Sequence, residues 1–280
     1  MKYWKYCGLI KSRQARRFLA VLEVIKTKYE LCTGCNRCVR ECPMEVTNIT
    51  YQDEAGNIKV KIDYSKCIAC GHCVSACKHD ARYYKDDTAR FFDDLSKGIP
   101  ISLMASPSTR TNIPEYKRLF TYLKQAGVKK IYDVSLGADI CIWAHVRYME
   151  NKKTDHIITQ PCPAIVSYCE IFKHDLLEYL SPVHSPMACT AIYMKEHEEI
   201  SDNIAALSPC LAKSNEFHDT GLIRYNITFS KLLEYLNNHV IFKIIINFIK
   251  GNISSDFIIE YILKSRIHFK ISVLYTKGGK

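Results

Sequence analysis

The 280-residue chain contains no run of about eighteen uncharged apolar residues, so no ordinary membrane-spanning helix is expected. The body has no excess of positive charge. Residues 31–230 hold 23 Lys/Arg against 24 Asp/Glu with no basic stripe, and a nucleic-acid partner is therefore not expected. The net charge of +10 belongs to the ends: eight Lys/Arg against two Glu in residues 1–30, and eight Lys/Arg against three Asp/Glu in residues 231–280. These read as solvated termini. A cleavable leader is not expected either. Arg16-Arg17-Phe18-Leu19 loosely resembles a twin-arginine signal, but the segment after it is short and contains Glu23, and no small-residue cleavage site follows. A cytoplasmic protein is the expectation. Hydrophobic residues at 48% and charged residues at 24% exclude wholesale disorder, and the length allows one large domain or two modest ones.

Cysteine is what the chain has in excess, with fourteen. Their clustering at two-residue gaps points to metal and not to a secreted disulfide framework. Cys32, Cys35, Cys38 and Cys42, followed by Pro43, form a C-x2-C-x2-C-x3-C-P run, the bacterial iron–sulfur ligand pattern. It recurs at Cys67, Cys70, Cys73 and Cys77, with Lys78 in place of the proline. In such a repeat three thiolates on one tight loop hold one cubane, and the fourth cysteine, carried onward by a helical turn, reaches the other. The expected sets are Cys32, Cys35, Cys38 and Cys77 for one 4Fe-4S cluster, and Cys67, Cys70, Cys73 and Cys42 for the second. Zinc is the competing reading, but three cysteines in seven residues, twice, fit its paired knuckles badly. Between the runs, Ile49-Thr50-Tyr51 and Ile58-Lys59-Val60-Lys61-Ile62 alternate around the turn residues Glu54-Ala55-Gly56-Asn57 and predict a β-hairpin. Residues 28–85 thus resemble a bacterial two-cluster ferredoxin.

After residue 86 the pattern changes. Helices are predicted at 86–97, 114–126, 138–150 and 164–179, and strands at 99–105, 128–134, 156–159 and 204–207. The alternation implies a mainly parallel sheet covered by helices. Cys162 and Cys210 follow predicted strands, within Gln160-Pro161-Cys162-Pro163 and Ser208-Pro209-Cys210, where parallel sheets place ligands. Cys189 follows His184-Ser185-Pro186-Met187-Ala188. Lys213, one helical turn past Cys210, would return its ammonium toward the same place. Cys141 and Cys169 are expected to be helix-borne packing residues.

Here the chain resembles the large catalytic domain of the iron-only (iron–iron) hydrogenases, closest to their sensory branch. The resemblance rests on residues 131–139 (Ile-Tyr-Asp-Val-Ser-Leu-Gly-Ala-Asp), 159–164 (Thr-Gln-Pro-Cys-Pro-Ala), 184–190 (His-Ser-Pro-Met-Ala-Cys-Thr) and 207–216 (Leu-Ser-Pro-Cys-Leu-Ala-Lys-Ser-Asn-Glu). The ferredoxin module included, it runs from about residue 28 to 236. It implies a six-iron assembly: a cubane on four cysteines, one of them bridging to a two-iron unit. Cys162 matches the first cubane ligand and Cys210 the second. Lys213 matches the lysine that donates to a cyanide, and Glu216 the glutamate that follows. Two departures accompany the match. Pro161 stands where catalytic members carry a proton-relay cysteine. The motif supplying the remaining two cubane cysteines has no counterpart, since no cysteine follows Cys210.

The resulting organisation is a basic leader at 1–27, an α+β ferredoxin-like two-cluster module at 28–85, a truncated α/β parallel-sheet hydrogenase-like domain at 86–236, and a divergent tail at 237–280. From Val240 the tail is rich in Ile, Lys, Phe and Asn, without Pro or Cys, and a frameshift is one reading of it. The expected function is an iron–sulfur redox protein with two 4Fe-4S clusters and a redox partner protein, carrying electrons to or within a sensory or defective hydrogenase-like domain. The alternatives are an active hydrogenase with a further cubane or six-iron cluster, and a non-functional truncated product.

Overall fold

The computed structural model describes residues 22–159 and 162–238. Expectations for residues 1–21, for Gln160 and Pro161, and for the tail past residue 238 lie outside the described residues. The chain divides into two compact units, one ending at Leu232 and the other beginning at Leu233; of the second, residues 233–238 are helical.

The first half of unit one is the cysteine-rich module. A short strand β1 (Ile25–Thr27) leads into the first cysteine loop and the single-turn helix α1 (Arg37–Arg40). The predicted hairpin follows as β2 (Asn48–Gln52) and β3 (Ile58–Ile62), antiparallel with Thr50 opposite Val60. Asp53 closes its turn by accepting the backbone N–H of Asn57 at 2.8 Å. The second cysteine loop then enters α2 (His72–Ala76), and β4 (Arg82–Tyr84) returns to pair antiparallel with β1. Ile25, in the stretch read from sequence as leader, is therefore a core residue of the module, packed with Cys38, Val60 and Cys73.

The second half is α/β. In chain order it runs α3 (Thr88–Ser96), β5 (Ile101–Ala105), α4 (Thr109–Asn112), α5 (Tyr116–Gln125), β6 (Ile131–Asp133), α6 (Ser135–Lys152), α7 (Pro163–Phe172), α8 (Pro186–Glu196), β7 (Asn203–Ser208), α9 (Lys213–Thr220) and β8 (Tyr225–Thr228). The strands make one parallel sheet in the order β6-β5-β7-β8. β5 is buried at every residue, which agrees with its nearly uncharged sequence. The edge at β8 is covered: Asp86 and Asp87 accept the N–H groups of Thr228 and Asn226, both at 2.8 Å.

The structure departs from the predicted strand at 156–159. Only Ile158 makes a bridge, to Leu180, and the segment joins no sheet. β5 already pairs with β6 on one side and β7 on the other, so no place beside it is open to this short run. The predicted helix at 164–179 also breaks, with α7 ending at Phe172 and a 3-10 turn covering His174–Tyr179.

One close approach fixes the body. A Cβ on Gly137 in α6 would collide with the Pro186 carbonyl oxygen and the Thr190 hydroxyl of α8, so only glycine lets these helices touch. The module meets the body through an apolar cluster in which Ile68 and Ala69 of the second cysteine loop join Ala164 and Ala212, with Cys162 and Cys210 packed against it. Gly71 faces Leu211, whose Cδ1 would lie 3.1 Å from a Cβ there.

Candidate metal centre

The two cysteine runs fold as structural copies. In each, the residue before the second cysteine and the residue after it have left-handed backbone: Gly34 (φ 67°) and Asn36 (56°) in the first, Ala69 (55°) and Gly71 (87°) in the second. These turns wrap three cysteines around one centre before a short helix carries the fourth away. At Gly34 the choice is absolute, because a Cβ would sit 2.5 Å from the Ile58 carbonyl oxygen.

Each loop encloses a cavity, and the lining is the crossed set read from the spacing. Cys32, Cys35, Cys38 and Cys77 line one, of about 310 Å³ including its open mouth; Cys42, Cys67, Cys70 and Cys73 line the other, of about the same size. Cys38 and Cys73 are buried, while Cys35 and Cys70 are exposed. Among the described residues no three His, Cys, Asp or Glu side chains come close enough to hold a single metal ion. The thiols instead ring a space, which suits a multi-iron group held at its corners. Burial pushes the Cys73 thiol up to about 12, with the Arg82 charge opposing, and it raises Cys67 and Cys70 as well. Thiolates at these positions need a cation to hold them ionised.

In the body, Cys162 stands at the N-cap of α7 and Cys210 in the turn between β7 and α9, both half-buried. The Cys210 N–H donates to Ser208 Oγ at 3.3 Å, and its carbonyl accepts from Asn226 Nδ2 at 3.4 Å. Both cysteines pack against the apolar cluster that receives the second cysteine loop, and Cys70 of that loop lies near enough to Cys162 for their charges to interact. Lys213 opens α9. Its Nζ donates to Glu216 Oε2 at 2.5 Å and to Ser185 Oγ at 3.2 Å, and the Lys213 and Glu216 side chains are each 8% exposed. The two predicted site residues are thus one buried ion pair, tied by Ser185 to the N-terminus of α8. Cys189 packs in a different cluster from Cys162 and Cys210, with Cys141, Ala144 and Val183. It is buried within α8, its thiol 3.5 Å from the His184 carbonyl oxygen.

Comparison with known proteins matches these halves separately. Residues 100–246 match the family model "Iron only hydrogenase large subunit, C-terminal domain", and residues 31–81 match "4Fe-4S dicluster domain". The chain belongs to the iron-only hydrogenase large-subunit family. Iron hydrogenase 1 of Clostridium pasteurianum is 29% identical over 190 residues, covering 59% of this chain and 32% of that protein. Protein NAR1 of Arabidopsis thaliana is 27% identical over 136 residues, covering 40% of this chain and 29% of that protein. The chain spans about a third of the length of these curated relatives. This member of the iron-only hydrogenase family is an iron–sulfur protein with a ferredoxin-like module and a parallel-sheet body, and none of its described helices is long and apolar enough to cross a membrane.

Sequence reading of this hydrogenase relative missed two groups. Cys141 is helix-borne and buried, as expected, but it does more than pack. Its thiol meets Cys189, lies 3.4 Å from His145 Nδ1 and donates to the His184 carbonyl at 3.3 Å. The hydrogen bond from Cys189 draws its ionisation well below the ordinary thiol range; burial opposes, and His145 assists. The i, i+4 spacing of Cys141 and His145 was the only available signal. The second missed residue is Arg82, buried against Cys38, which stands in no motif.

Proposed function

We propose that this chain is an electron-transfer iron–sulfur protein whose module holds two 4Fe-4S cubanes and exchanges electrons with the Cys162–Cys210 side of the hydrogenase-like body. The observation that carries the reading is the partition of eight cysteines between two cavities, three from one run and one from the other in each. A 4Fe-4S cubane supplies one-electron redox chemistry when bound. The chain's own residues do the rest. Cys32, Cys35, Cys38 and Cys77 would hold one group; Cys67, Cys70, Cys73 and Cys42 the other. Ile68, Ala69 and Leu211 exclude water where the second loop meets the body. The second cysteine loop packs through Ile68 and Ala69 against the cluster that holds Cys162 and Cys210, which makes its site the inward one and leaves the first site outward, toward a redox partner protein.

Cys162 and Cys210 supply two of the four thiolates that a cubane in the body would need. Cys189, bonded inside α8, is not positioned as a third. The 280 residues on their own should therefore give no hydrogen uptake or evolution after maturation, while the module remains redox-active. Turnover above that of a Cys162→Ala control would support the alternative reading as an active hydrogenase. Iron and sulfide analysis tests the main reading: about eight iron per chain is expected from two four-cysteine sites. Tight zinc without charge-transfer absorption would refute it.

A further inference from the structure

Arg82 is the first residue of β4, five positions past Cys77, and only 5% exposed. Its guanidinium is fixed at both ends. Nη1 donates to Thr27 Oγ1 at 2.6 Å; Nη2 donates to Asn48 Oδ1 at 2.8 Å and to the Val60 carbonyl at 3.3 Å, and it lies 3.7 Å from Cys38 Sγ. Thr27, Asn48 and Val60 offer it only neutral oxygens. Among the described residues no carboxylate pairs with Arg82. A guanidinium cannot shed its proton in a protein. A buried cation without an anion is strongly unfavourable, so the fold calls for a negative charge at this spot. Arg82 also lines the cavity of Cys32, Cys35, Cys38 and Cys77.

We infer that Arg82 is the buried countercharge of the iron–sulfur site at Cys32, Cys35, Cys38 and Cys77, and that it raises the reduction potential of that site. The inference rests on the two-cubane reading. A cubane on four thiolates is negative, and taking up one electron makes it more so. A fixed positive neighbour stabilises the reduced form more than the oxidised one, and the potential rises. Burial protects this effect from salt. Arg37 lines the same cavity but is half-buried, where solvent weakens its influence. The same charge also reaches Cys67 and Cys73 of the inner site, but the guanidinium touches only Cys38 among the thiols, so the effect is larger at the outer site.

The test is a redox titration of the anaerobically reconstituted full chain, followed by electron paramagnetic resonance. Arg82→Gln keeps hydrogen-bonding capacity and removes the charge. One of the two one-electron steps should fall by at least tenfold in reduced-to-oxidised ratio at fixed potential, about 59 mV, and the other should move less. Arg82→Lys, which keeps the charge, should stay close to the parent. Two unmoved steps in Arg82→Gln would overturn the inference, as would an Arg82→Lys step displaced as far as that of Arg82→Gln. If Arg82→Gln holds no iron, the Arg82→Lys titration decides by the same criterion; loss of iron from both would assign Arg82 a structural role and also overturn it. A parent chain without two cubane steps would instead refute the two-cubane reading itself.

Discussion

Lys213 and Glu216 show what a single buried contact asks of the fold. Their side chains are each 8% exposed, and Ser185 is the further acceptor for the ammonium. Removing one partner strands the other charge out of water. Lys213→Met should cost about 3–5 kcal/mol, and a Lys213→Met/Glu216→Gln double variant should recover much of that loss. Anaerobic denaturant unfolding checks both; a double variant no better than the single one would mean that the pair is not the source of the cost. Gly137 makes a different demand. Alanine there must push α6 from α8, and Gly137→Ala should cost about 1–3 kcal/mol in the same measurement. Gly137 fell within a stretch quoted for its family likeness, yet nothing in the sequence tells which helix will press on it. Arg82 was equally illegible. An arginine in a short strand is unremarkable until its burial and the neutrality of its partners are known.

At the scale of elements, the two cysteine loops were the most legible part of the chain, because ligand spacing is a local constraint. The left-handed positions at Gly34, Asn36, Ala69 and Gly71 repeat in register with the cysteines, so the loop shape is written beside the ligands. Cys35→Ala should lower the iron content by about half or more, losing the outer site and weakening the inner one, since each run donates across to its neighbour. Unchanged iron in that variant would exclude Cys35 as a ligand. The hairpin was legible for the same local reason. Elements whose pairing is distant were not. β8 carries four residues and becomes a strand only because β7 and the Asp86–Asp87 pair satisfy its backbone. The segment at 156–159 shows the reverse: a short run without a sheet neighbour remains a single bridge. Cys162 therefore stands at a helix N-cap and not at a strand end, and packs against the same apolar cluster as Cys210.

For the whole molecule, the module and the body share one apolar cluster, and that shared cluster makes the chain more than a ferredoxin attached to a second domain. The family match places residues 100–246 in the hydrogenase large-subunit domain and so extends past the boundary at 236 set from sequence likeness alone. The central claim is that eight cysteines in two crossed sets hold two cubanes. Iron and acid-labile sulfide content, measured on the anaerobically reconstituted full chain together with the electron paramagnetic resonance of its dithionite-reduced form, tests it most directly. The account expects about eight iron and eight sulfide per chain and two magnetically interacting reduced cubanes. Zinc in place of iron, or a single isolated cubane, would contradict it.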